Sequence, residues 1–171
     1  EERDKNTILN LLKTQPDIFE RSNLIAHMTA SAWVVNKDRS KILLAYHNIY
    51  DSWAWLGGHS DGEKDLLKVA LKEVAEESGV KNIKPVSEDI LSVEILTVDG
   101  HEKKGVYVPS HLHLNVTYLI EADDTEQPHI YVGENSNVAW FDKDKAVEMS
   151  NEKWFKERIY SKLMKKLYPG D

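Results

Sequence analysis

Apolar and polar positions alternate with two different periods along this chain, and the changes of period mark its elements. Ile8, Leu9, Leu11 and Leu12 give a short apolar face at helical spacing, and Pro16 with Asp17 opens a second short turn ending near Arg21. From Met28 the period shortens to that of strands. Thr29 to Val35 and Lys41 to Tyr46 flank Asn36-Lys37-Asp38-Arg39-Ser40, the pattern of a hairpin loop. Trp53 to Leu56 reads as a further short strand closed by Gly57-Gly58. A helix is predicted from about Asp65 to Ser78, stopped by Gly79, a residue suited to the left-handed cap. Strands are predicted near Ile90 to Val98 and His111 to Ala122. In the second, Leu112, Leu114, Val116, Tyr118 and Ile120 fall on one side, with His111, His113, Asn115 and Thr117 on the other. Val138 to Phe141 reads as a last strand. A C-terminal helix from about Glu152 to Leu167 carries Trp154, Phe155, Ile159, Leu163 and Leu167 as packing positions. Strands interleaved with one central and one terminal helix predict an α/β or α+β layered domain.

Length and composition narrow this picture. A chain of 171 residues fits a single domain spanning 1–171, with residues 1–26 as a helical appendage; no repeat or linker marks a boundary. No stretch approaches the roughly 18 apolar residues of a membrane span, and Glu1 to Lys5 has no apolar core of a secretory leader. A cytoplasmic location is therefore expected. The absence of cysteine removes disulfides, thiolate metal sites and thiol nucleophiles. A formal charge of −7 argues against a stable nucleic-acid partner. An acidic chain still binds phosphates where a bound cation inverts the local field.

The central helix carries a cluster that packing does not explain. Leu66, Leu67, Ala70, Leu71 and Val74 make its apolar stripe, and Glu73, Glu76 and Glu77 lie beside that stripe rather than opposite it. At spacings i, i+3 and i+4 these carboxylates repel, in the last turns, where the helix dipole disfavours anions. A solvated acidic face would place a Lys four residues after each Glu; only Lys72 and Glu76 have that separation, in the less favourable order. A divalent cation turns the repulsion into shared coordination, and carboxylate oxygens suit Mg²⁺ and Mn²⁺.

The stretch Gly58-His59-Ser60-Asp61-Gly62-Glu63-Lys64 through Lys72-Glu73-Val74-Ala75-Glu76-Glu77-Ser78-Gly79-Val80 resembles the Nudix box. Gly58, Glu73, Val74, Glu76, Glu77, Gly79 and Val80 match that box without a gap, and the flanking resemblance runs from about Met28 to Met149. Lys72 stands where the family has Arg, and Lys64 where it has the first Glu; Glu63 and Asp61 are the nearby acids that offer a replacement.

The resemblance implies an α/β/α sandwich with a mixed sheet, a central box helix and a C-terminal helix. It implies a Mg²⁺-dependent hydrolase, with Mn²⁺ as a substitute, cleaving a pyrophosphate bond in a small phosphorylated metabolite such as a nucleoside diphosphate linked to another moiety. Glu73, Glu76 and Glu77 are the implied metal ligands, with the Gly57 carbonyl and the loop acid Glu134 beside them. Glu73 and Glu77 are the implied catalytic acids. Candidate substrate contacts are Trp53, His59, Lys72, His111 and His113, with Trp55 as a second stacking surface. Two other readings stand beside hydrolysis: a non-catalytic Nudix-like nucleotide-binding or regulatory domain, which the Lys64 departure favours, and an isopentenyl-diphosphate isomerase, whose chemistry relies on a Cys that this chain lacks. A homodimer is compatible with the sequence.

Overall fold

A computed structural model describes residues 1–130, 133 and 135–171. Its centre is β1 (Ala26–Val35), buried at all ten positions and extended three residues ahead of the predicted start. Met28, Ala30, Ala32 and Val34 face one core, while Trp33 and Val35 face another. The hairpin partner β2 (Lys41–His47) runs antiparallel to it, Val34 opposite Leu43, through the predicted loop, where Arg39 takes a positive φ of 58°. The predicted third strand is two pieces, β3 (Ser52–Ala54) on β2 and β4 (Leu56–His59) on β1.

The box helix α2 (Leu66–Ser78) begins at Asp65, whose carboxylate accepts from the Lys68 N–H at 3.2 Å, and ends at Gly79 with φ of 68°. It buries Val69 along with Ala70 and Val74, so its apolar stripe is wider than the spacing alone suggests. Short β5 (Ile83–Pro85), β6 (Ser92–Val98) and the hairpin of β7 (His101–Lys103) with β8 (Val106–Val108) follow. The long β9 (His111–Ala122) lies parallel to β1 and takes β5 and β6 on its other side. β10 (Asn135–Asp142) closes the opposite edge against β2. The eight-stranded sheet thus runs β10-β2-β1-β9-β5, with β3, β4 and β6 attached to β2, β1 and β9. It is a mixed sheet, as expected.

Helices cover both faces. α1 (Glu2–Thr14) and α2 pack on one, with Ile8, Ile18, Val69, Ala70 and Val74 in a common core. Ile18 is only 1% exposed, so the turn after α1 plugs the main core. The opposite face is covered by a short helix α3 (Lys143–Ala146) and the C-terminal helix, which bury Ala146, Ile159, Tyr160 and Leu163 against Trp33, Val35, Ile42 and Leu44. That terminal helix is π-helical over Phe155–Tyr160 before continuing as α4 (Ser161–Leu167). The wider turn alters the helical spacing, and Trp154, expected in the core, is 61% exposed. No helix among the described residues is long and apolar enough to cross a membrane.

Candidate functional site

Two adjoining cavities open where the end of the box helix meets the Gly-Gly strand. The first, about 670 Å³, is lined by Gly57, Gly58, His59, Asp61, Glu73, Glu76, Glu77, Arg21, Lys103 and Asn135, among others. The second, about 390 Å³, shares Arg21, Gly57, Gly58, His59, Glu77, Lys103 and Asn135 with it and runs along the sheet beneath Trp55 and Phe155.

The glycines make this junction. A Cβ on Gly58 would lie 2.5–2.8 Å from the carboxyl atoms of Glu73, and one on Gly57 would lie 2.6 Å from the Ala30 carbonyl. Only bare backbone lets the Glu73 carboxylate come this close to the strand. The Gly57 N–H donates to Glu77 Oε1 at 2.8 Å, and the Asn135 side-chain amide donates to Glu77 Oε2. Glu76 meets Lys72 at 3.8 Å on the more exposed flank. The helix thus delivers three carboxylates to one groove. Their oxygens suit a hard divalent cation, and the Gly57–Glu77 bond ties the strand to the helix at that point. Among the described residues, the group of three potential ligands whose donor atoms lie within 4.8 Å of one another is a different one, His27, His59 and His113.

The acids near the departure at Lys64 are engaged elsewhere. Asp61 forms a two-bond pair with Arg21 at 2.7 and 2.6 Å, which holds its carboxyl below the usual carboxylate range. Glu63 accepts from the Asp65 N–H and from Lys68 Nζ at 2.9 Å. Asp61 lines the groove; Glu63 and the exposed Lys64 do not.

Register assembles the second cavity. Across the parallel β1–β9 pair, His27 stands opposite His113, Thr29 opposite Asn115 and Ser31 opposite Thr117, while His59 in β4 stands opposite Thr29. Thr29 and Ser31 hydroxyls donate to Asn115 Oδ1, the Asn115 amide and Thr117 hydroxyl donate to Glu94 Oε2, and Lys162 caps Glu94 Oε1 at 3.2 Å. The polar side of β9 is therefore an interior network rather than a wetted sheet face. The histidine rings sit 4.8–5.2 Å apart. Burial, followed by the neighbouring cationic and imidazole groups, lowers His59 to about 4 and His113 to about 2, so both are neutral near pH 7.

The structure sorts the predicted contacts. His59, His111 and His113 line the second cavity, with Trp55 as its aromatic wall. The Trp55 backbone N–H donates to the Tyr160 hydroxyl at 3.1 Å, which fixes that wall to the terminal helix. Trp53, two residues earlier in β3, points instead into an edge-on stack with Phe141 and Tyr46 and lines neither cavity. The two tryptophans are two residues apart, a spacing that keeps one face in an unbroken strand, but Trp55 falls at the break between β3 and β4. Lys72 lies on the exposed flank with Glu76 and lines neither cavity, because helical spacing turns it away from Glu73 and Glu77. Glu134 lies outside the described residues.

Several lining residues escaped the sequence reading, among them Lys103 and Asn135, which line both cavities, and His27, Arg21 and Glu152. His27 precedes the predicted strand start; its alternation with Thr29 and Ser31 was the available signal. Arg21 ends what read as an appendage. Glu152 lines the second cavity beside Phe155, and burial raises its carboxyl to about 7.

Comparison with known proteins agrees with this geometry. A family model described as the NUDIX domain matches residues 26–163. An Ap4A hydrolase from C. elegans, solved as a binary complex, is 19% identical with a TM-score of 0.58, covering 82% of this chain and 93% of that one. A NUDIX hydrolase from Nitrosomonas europaea is 16% identical with a TM-score of 0.58, covering 84% and 88%. The NUDIX domain of Shewanella oneidensis NrtR, complexed with ADP ribose, is 16% identical with a TM-score of 0.56, covering 82% and 87%. No curated protein matches the chain in sequence.

Proposed function

The chain belongs to the NUDIX family of pyrophosphate-bond hydrolases, and we propose that it is a Mg²⁺-dependent member acting on a nucleoside diphosphate linked to a second moiety. The observation that carries this reading is the junction of Glu73 and Glu77 with Gly57-Gly58, where carboxylates meet bare backbone at the meeting point of two cavities. The pyrophosphate lies in the carboxylate groove, and the remaining moiety extends into the second cavity against Trp55 and Phe155.

Glu73, Glu76 and Glu77, with the Gly57 carbonyl, would hold the cation; Mg²⁺, or Mn²⁺ in its place, supplies positive charge for the phosphate oxygens when bound. Glu73 takes a proton from the attacking water. The water oxygen bonds to phosphorus as the bridging P–O bond breaks, and the second phosphate departs with the bonding pair. Glu77 is kept oriented by the Gly57 N–H and Asn135. Arg21 and Lys103, both lining the shared part of the groove, offset phosphate charge.

The test is hydrolysis by the purified chain with Mg²⁺ of nucleoside triphosphates, nucleotide sugars, ADP-ribose, dinucleoside polyphosphates and prenyl diphosphates, read as phosphate or nucleotide release. Turnover on a linked nucleoside diphosphate, falling by roughly 100-fold or more in Glu77→Gln, is expected, on the scale of losing one charge-stabilising group. Tight binding of such a compound with no turnover would instead establish the non-catalytic reading.

A further inference from the structure

Three imidazoles crowd together at the floor of the second cavity, and ordinary hydrogen bonding does not account for their arrangement. His27 is 4% exposed. Its Nδ1 lies 3.0 Å from the Asn23 carbonyl oxygen, which only accepts, so Nδ1 carries the proton and Nε2 carries a lone pair. That Nε2 is buried and has no hydrogen-bond partner among the described residues. A buried acceptor left unmatched costs free energy, and native structures rarely leave one without a reason. An anion does not satisfy it, because a lone pair repels a phosphate oxygen. A Lewis acid does.

The neighbours have the chemistry of the same ligand. One potential donor nitrogen from each of His27, His59 and His113 lies within 4.8 Å of the other two. For Zn–N bonds of about 2.05 Å, tetrahedral geometry puts donor nitrogens roughly 3.3 Å apart and ring centroids roughly 5 Å apart. The centroid separations are 5.2 Å for His27–His59, 5.1 Å for His27–His113 and 4.9 Å for His59–His113. The rings therefore need to rotate rather than travel. Outer contacts of the kind that orient metal-bound histidines are also in place. The Asn23 carbonyl holds His27, and His111, itself fixed by its Nδ1 on the Pro109 carbonyl at 2.8 Å, holds His113 with a nitrogen separation of 3.2 Å.

We propose that His27, His59 and His113 form a binding site for a borderline transition-metal ion of the Zn²⁺ class, with its fourth position open to the second cavity. Imidazole nitrogen selects such an ion over Mg²⁺, which prefers the oxygens of Glu73, Glu76 and Glu77. His59 borders both cavities, so the ion stands beside the carboxylate groove and offers positive charge to a phosphate or hydroxyl of a substrate extending between them. The site is separate from the carboxylate cluster and does not depend on the chain being a hydrolase.

Calorimetric titration of the full chain with Zn²⁺ near neutral pH tests this, with His59→Gln, His113→Gln and Glu77→Gln alongside and thermal melting as the check on folding. Each His variant should weaken Zn²⁺ binding by more than the roughly 10- to 100-fold typical of losing an outer-shell partner. Glu77→Gln should leave it unchanged. X-ray absorption at the zinc edge of the loaded wild-type chain should show imidazole scattering, a readout that stands even if a His variant fails to fold. The proposal is overturned if the wild type binds no Zn²⁺, if the bound zinc shows oxygen ligands without imidazole, or if Glu77→Gln abolishes binding while folded His variants retain it.

Discussion

Glu77 is joined on one oxygen by a strand N–H and on the other by the Asn135 amide, so its carboxylate is aimed before any ligand arrives. Substituting Gln keeps an acceptor for the Gly57 N–H but removes the charge. Metal-free stability of Glu77→Gln should stay within about 1 kcal/mol of wild type, while its melting temperature should no longer respond to Mg²⁺. A variant that still rises with Mg²⁺ would place the ion elsewhere. Lys64 gives the contrasting case, since it is exposed and borders neither cavity. Lys64→Glu should leave turnover within roughly tenfold, about 1.4 kcal/mol in barrier; a larger change in either direction would mean that the side chain reaches the phosphates. Glu152 contributes a pH dependence of its own. Burial raises its carboxyl from 4.5 to about 7, so between those values the folded state binds more protons than the unfolded chain. Stability contributed here falls as pH rises through that window. Glu152→Gln should therefore raise the melting temperature at about pH 8 and leave it nearly unchanged at about pH 4. An equal effect at both values would mean that the carboxyl is not buried as described.

At the scale of elements, α2 and β4 behave as one device. The helix ends on Gly79 and carries its acids in the final turns, against the sense of its own dipole. What sets the cluster is the strand opposite, whose glycines leave space for Glu73. Gly58→Ala would drive a methyl group into that carboxylate. We expect hydrolysis to fall by at least roughly tenfold, a barrier change of about 1.4 kcal/mol. Far-ultraviolet circular dichroism should be unaltered, since φ at this position is not one that requires glycine. Full activity in Gly58→Ala would show that Glu73 is free to move aside. The same elements explain why Trp55 and not Trp53 borders the cavity: Trp55 sits at the break between β3 and β4, while Trp53 stays within β3 in its stack with Phe141 and Tyr46.

For the whole molecule, the segment ahead of β1 belongs to both the core and the wall of the groove. Ile8 and Ile18 complete the core under α2, and Arg21 reaches the groove through its pair with Asp61. Ile18→Ala should destabilise the fold by about 2–5 kcal/mol, the cost of a cavity at a fully buried aliphatic position. Denaturant unfolding measures it, and a loss below about 0.5 kcal/mol would mean that the segment packs loosely.

The sequence by itself determined the local patterns: the box helix from about Asp65 with its Gly79 stop, the β1–β2 hairpin, the alternation of β9, and three glutamates that a packing helix does not require. These are properties of neighbours in the chain, where spacing fixes direction. Tertiary structure alone decided which polar face was buried. His111, His113, Asn115 and Thr117 alternate as an outer face would, yet the parallel pairing with β1 places Asn115 and Thr117 inside and sets His27 beside His113. Residues 27, 59 and 113 are brought together by register between β4, β1 and β9, and no period along one strand encodes the register of another. The exposure of Trp154 has the same origin, because the π-helical turn after it shifts the terminal helix out of the spacing that its apolar residues suggest.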